Sequence, residues 1–255
     1  MVVIRTDEPI AVAAVDAIHR GDVPALRSLL AQRSDLATAA LGDDGAMTRT
    51  LLHVVTDWPG HYPHGAEIVM MLVGAGADVN ARFTGPHTET PLHWVASSDD
   101  VAVLDALLDA GADIEARGAV IAGGTPMADA TAFGQWQAAR RLLERGACTT
   151  MWESAALGLL DRVDASFQEG PPPSTDDATR AFWGACHGGH RDVAEYLLGR
   201  GADVNWVGWD GLTPLDAAQR SNADEVVRWL RSVGGTTAHD SVLGGRSGRE
   251  NSIGE

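Results

Sequence analysis

The chain has 255 residues, 45% of them hydrophobic, and a formal net charge of −16. The hydrophobic share is that of a globular chain and excludes disorder throughout. The charge repels phosphate backbones and anionic lipid, and no cluster of Lys and Arg offsets it, so neither nucleic acid nor a membrane is an expected partner.

The first apolar run, I-A-V-A-A-V (10–15), follows Asp7 and Glu8 and ends at Asp16, so it lacks the basic start and uninterrupted core of a signal peptide. Nothing further along has the length of a membrane span. Cys148 and Cys186 are the two cysteines, in no C-x-x-C pair, which fits a reducing cytoplasm. The 8 Trp and 9 His stand against 2 Tyr and 4 Phe, and tryptophan beyond core needs marks places where something binds.

In chain order, V-D-A-I-H-R-G-D-V-P-A-L-R-S-L-L (15–30) predicts a first helix pair. After it the sequence repeats itself. T-L-L-H at Thr50, T-P-L-H-W-V-A at Thr90, T-P-M-A-D-A at Thr125 and T-P-L-D-A-A at Thr213 recur, as do G-A-D-V-N at Gly76, G-A-D-I-E at Gly111, G-A-C-T-T at Gly146 and G-A-D-V-N at Gly201. The first two glycine intervals are 35 residues each, and Thr leads Gly by 21 residues in the regular copies. Thr caps a helix whose first position suits Pro. A second helix with apolar residues at helical spacing follows, as in V-A-V-L-D-A-L-L (101–108), and Gly ends it in the left-handed region. Neither short helix buries its apolar face alone, so the units have to stack.

These residues resemble the ankyrin repeat, over about residues 7–234. The resemblance implies an all-α solenoid of stacked helix-turn-helix units with hairpin fingers. It also implies a concave surface, made by the fingers and first helices, that binds another macromolecule. Seven units are expected, near 7–40, 41–80, 81–115, 116–148, 149–174, 175–205 and 206–234, with a disordered tail over 235–255. The fifth, starting at Thr149 only three residues after Gly146, lacks its finger and should leave a notch. In the family the His of T-P-L-H bonds neighbouring backbone, which is the role expected of His53 and His93; later units hold Ala128, Trp152, Trp183 and Asp216 in that place.

Function is sought where the chain departs from its own pattern. T-D-W-P-G-H-Y-P-H-G (56–65) makes the second unit five residues longer than the others, between its paired helices. It reads as a long turn, as a metal loop built on Asp57, His61, His64 and Glu67, or as a loop that overhangs the groove and presents Trp58, His61 and His64. One place beyond the T-P-L-H histidine, where an apolar residue is expected, stand Trp94, Asp129 and Glu153. The two carboxylates, on consecutive units, are expected on the order of 10 Å apart. The fingers offer Phe83, His87 and Glu89 before the third unit, and Trp206, Trp209 and Asp210 before the seventh.

The leading expectation is a protein partner held in a groove lined by Trp and His, contacted by Trp58, His64, Phe83, His87, Glu89, Trp94, Trp152, Trp183, Trp206, Trp209 and Asp210. The rival is a small-molecule or catalytic pocket in which Asp57, His61, Asp129, Glu153 and His187 converge. A third reading is a structural adaptor with its Trp in the core. No metal and no cofactor is expected.

Overall fold

Helix starts are set by reciprocal caps. Thr50 precedes α3 (Leu51–Thr56) and Thr90 precedes α5 (Pro91–Ser98); His53 and His93, at the third helical position, accept the threonine backbone N–H on Nδ1. Carboxylates do the same work at α9 (Met151–Ala156), α11 (Thr175–Gly188) and α13 (Pro214–Arg220), where Glu153, Asp177 and Asp216 pair with Thr150, Ser174 and Thr213. At α7 (Pro126–Ala132) the equivalent residue is Ala128 and Thr125 makes no side-chain cap. One expected start is therefore displaced: Thr150 rather than Thr149 is the cap of α9, which puts Glu153 in the histidine's place and Trp152 before it.

The computed structural model describes residues 2–43 and 47–240, so the expected tail lies outside the described residues from position 241 onward. Its first residues are tied down: Thr236 N–H donates to Asn205 Oδ1 and Ala238 N–H to Asp216 Oδ2. The chain divides into two compact units, Met1–Cys148 and Thr149–Glu255, and the division falls at the missing finger.

In the first unit α1 (Pro9–Arg20) pairs with α2 (Val23–Gln32), α3 with α4 (Gly65–Gly74), α5 with α6 (Val101–Asp109) and α7 with α8 (Trp136–Glu144). Leu52, Leu92 and Met127 on successive first helices are fully buried, each contributing about 1.5–3 kcal/mol. A small sheet was not expected from the sequence: β1 (Val3–Ile4) runs parallel to β2 (Ala40–Gly42), which is antiparallel to β3 (Thr48–Thr50). Thr48 and Thr84 exchange both backbone hydrogen bonds, which ties this strand to the next finger.

The second unit pairs α9 with α10 (Leu160–Gln168), α11 with α12 (Arg191–Gly199) and α13 with α14 (Asp224–Ser232) around Phe182, Cys186, Leu197, Leu215 and Leu230. In both units a glycine ends the second helix at positive φ, 91° at Gly111 and 92° at Gly201, where a Cβ would be strained.

Candidate functional site

The inserted loop does not bring its histidines to Asp129. His61 donates its backbone N–H to Asp100 Oδ2 at 3.0 Å and its ring Nε2–H to the Ser98 carbonyl at 2.9 Å, so it binds the turn between α5 and α6. Asp100 is also the cap of α6, accepting from Val103 N–H. Asp57 forms an ion pair with Arg49, Tyr62 stacks on His19 at 4.6 Å, and His64 Nδ1 lies 3.6 Å from Glu67. Of the residues considered as a metal set, His64 and Glu67 face each other, while Asp57 and His61 are drawn to other partners. Among the described residues no group of three or more His, Cys, Asp or Glu side chains is placed to hold a metal ion. A depression of about 620 Å³ beside the loop is lined by Val23, Pro24, Arg27 and Ser28 of α2 with His64 and Glu67, and not by Asp57, His61 or Asp129. Trp58 is 77% exposed and takes no part in that lining.

The first unit gathers its other candidates around Glu89. This buried carboxylate accepts the Trp94 indole N–H at 3.0 Å and the Val120 N–H at 3.3 Å, and lies 2.7 Å from His87 Nδ1. Phe83 fills the space between His87, at 5.2 Å, and Trp94, at 5.5 Å, and the His53 ring meets Trp94 edge-on at 4.9 Å. His53 Nε2–H donates to the Glu89 carbonyl and His93 Nε2–H to the Gly124 carbonyl, so each histidine joins its own helix to the next finger. Burial keeps both neutral, lowering their pKa to about 4.

Asp129 faces this cluster from α7 and is fully buried. Burial first, and then the negative charge of Glu89, push its carboxyl up to about 8. A side-chain hydrogen-bonding contact with Glu89 adds to the rise and the Ile121 N–H offsets part of it, although neither Asp129 oxygen has a hydrogen bond of normal geometry. The carboxylate that acts on Asp129 is therefore Glu89, not the expected Glu153. The latter is used at the start of α9, where it accepts the Thr150 N–H at 2.6 Å.

The second unit has an aromatic cluster with no carboxylate inside it. Trp209 meets Trp152, Trp183 and Trp206 at 5.6, 5.2 and 5.4 Å, each near a right angle. Trp183 is buried and donates its indole N–H to the Leu212 carbonyl; its ring lies 5.3 Å from His187, whose Nδ1 is 3.1 Å from Ser221 Oγ. Asp210, at φ 58°, pairs with Arg220, which also lies over the Trp183 ring. Trp209 itself stays 44% exposed on a turn of 3-10 helix, Trp209–Gly211.

Of the eleven expected contact residues, Trp58, His64, Trp209 and Asp210 are exposed, and His87, Trp94, Trp152 and Trp206 are half-buried. Phe83, Glu89 and Trp183 are buried, so in this conformation they support the surface rather than form it. Of the five residues expected to converge, Asp57, His61 and Asp129 lie in the first unit and Glu153 and His187 in the second. Cys186 is buried, with its thiol raised above the ordinary range by desolvation, and Cys148 is exposed.

Comparison with known proteins agrees with this architecture. Residues 152–239 match the family of ankyrin repeats in three copies, and residues 87–119 match a single ankyrin repeat. An ankyrin repeat and KH domain-containing protein of Caenorhabditis briggsae is 31% identical over 173 residues, 64% of this chain, and alpha-latrocrustotoxin-Lt1a of Latrodectus tredecimguttatus is 27% identical over 68% of it. The chain spans 6% and 10% of the length of those relatives. It is an ankyrin-repeat protein, and ankyrin repeats are generally protein-interaction modules. Among the described residues no helix is long and apolar enough to cross a membrane.

Proposed function

We propose that this chain recognises a protein partner through the face made by its fingers and first helices, with Trp209 as the principal contact. One observation carries the reading. Trp209 keeps 44% of its surface exposed while three other indoles fix its orientation, so a large apolar group is offered to solvent without the entropy cost of ordering it on binding. Asp210 and Arg220 beside it form a polar rim. Trp58, on the loop that His61 anchors, offers a second exposed indole. The unpaired cysteines support a reducing compartment such as the cytoplasm.

The test is affinity capture with wild type and with Trp209→Ala, followed by titration of each captured protein. Loss of at least tenfold in affinity for a captured partner is expected of Trp209→Ala. Partners whose affinities are the same for wild type, Trp209→Ala and Trp58→Ala would refute the assignment.

A further inference from the structure

The buried polar atoms around Glu89 are satisfied with two exceptions, His87 Nδ1, which lies 2.7 Å from the Glu89 carboxylate without a hydrogen bond of normal geometry, and Asp129. His53 and His93 have partners on both ring nitrogens, and Glu89 accepts from an indole and a backbone N–H. Asp129 has no hydrogen bond of normal geometry on either oxygen. It stands at the fourth position of α7, where α3 has Val54 and α5 has Trp94, so the fold itself asks only for an apolar residue there. A buried carboxyl group without donors costs stability. Asp129 lies within hydrogen-bonding reach of Glu89 and keeps its proton at neutral pH, and a cation that displaced this proton would supply donors to both carboxylates.

The ligand has to bring positive charge and several N–H groups in one plane. A guanidinium does both, since its fork bonds two carboxylate oxygens at once and its face stacks on aromatic rings. Phe83, His87 and Trp94 line the same place. We propose that Glu89 and Asp129 form a binding site for one arginine side chain of a basic protein partner, with Trp94 as its aromatic wall. The site deepens the partner-binding reading above and rests on it. The net charge of −16 favours a basic partner over an acidic one.

Entry requires the covering finger, residues 117–124, to lift, because Asp129 is fully buried. That finger contains Gly118, Gly123 and Gly124, places Ala122 at φ 53°, and reaches Glu89 through the single 3.3 Å bond from Val120. Its base is held by Arg82, which donates to the Thr88 and Arg117 carbonyls. The tip therefore has less to break than the base.

The probe is the blocked tripeptide acetyl-Gly-Arg-Gly-amide, titrated while the Trp94 indole N–H is followed by NMR and assigned with Trp94→Phe. A saturable shift is expected for the arginine peptide. Binding at least tenfold weaker is expected for its citrulline and lysine counterparts, and for the arginine peptide with Asp129→Asn or Glu89→Gln. Absence of a saturable shift, an equal response to citrulline, lysine or calcium chloride, or unchanged binding in both variants would overturn the proposal. Thermal melts confirm that the variants are folded, and a folded Glu89→Gln alone is sufficient if Asp129→Asn is not. If the peptide fails while Trp209→Ala still weakens a captured partner, the arginine site falls and the broader reading stands.

Discussion

In the first unit the residue that closes the caps of α3 and α5 is a histidine, and its second ring nitrogen reaches the backbone of the next finger. In the second unit it is a carboxylate. Glu153 and Asp177 stay within their own caps, and Asp216 also accepts from Ala238. The histidine couples neighbouring repeats through one ring, at the cost of holding an imidazole neutral in the interior. The carboxylate is held by local N–H groups instead, which leaves the second unit to join its repeats by packing indoles. The contrast extends to what each unit encloses: an acid pair beside aromatic rings in one, four tryptophans in the other.

The largest test of that contrast removes the packing. Trp183→Ala should cost about 3–5 kcal/mol, because it deletes a buried indole that holds Trp209 and the Leu212 carbonyl. Hydrogen exchange resolved by residue should show the loss of protection in α11 and α13 and not in α3 or α5. An equal loss in the first unit would break the comparison.

Acid should act in the opposite direction. The pKa values of His53 and His93 are lowered to about 4 from the ordinary 6.5, so the unfolded chain binds more protons than the folded one between those values. The first unit should therefore lose stability as pH falls from about 6.5 to about 4, by on the order of 2–3 kcal/mol per histidine. Asp177 in the second unit is lowered by its bonds to Ser174, so its contribution is present above the ordinary carboxylate value and is lost only below it. Denaturant unfolding followed by hydrogen exchange at about pH 6.5 and about pH 4.5 would show whether the first unit yields first.

Asp129 has the reverse sign. Its raised pKa means that the folded state holds a proton that the unfolded state has released between about pH 4 and 8, so stability falls as pH rises through that window. Together with the histidines this gives the first unit an optimum at about pH 6.5. Asp129→Asn should remove the falling limb and stabilise the unit by about 1–3 kcal/mol at pH 8, with no gain below pH 4. A variant less stable than wild type at pH 8 would show that Asp129 has structural partners after all.

The repeat made most of the fold legible. Thr-Pro marked helix starts at Thr90, Thr125 and Thr213, Gly-Ala marked helix ends, and His53 and His93 have the backbone-bonding role that the family resemblance implied. What was hidden depended on contacts that carry no local pattern. The strands β1 to β3 are two or three residues long, too short for an alternation to be read. Thr149 and Thr150 are adjacent and equally good caps, and only the reach of Glu153 selects the second. His61 is held by a backbone carbonyl 37 residues away, which no side chain announces. Asp129 stood out as a polar residue in an apolar place, but its partner Glu89 lies 40 residues back on a finger, and the repeat pattern pointed to Glu153 instead.

The tryptophan cluster has an optical consequence. Three indoles set nearly perpendicular to Trp209, at 5.2 to 5.6 Å, bring their electronic transitions close enough to mix, so the second unit should show an exciton couplet in circular dichroism. Anything that draws Trp209 away from its neighbours would erase that band. The protein therefore carries its own spectroscopic gauge of whether this indole is stacked at home or engaged elsewhere.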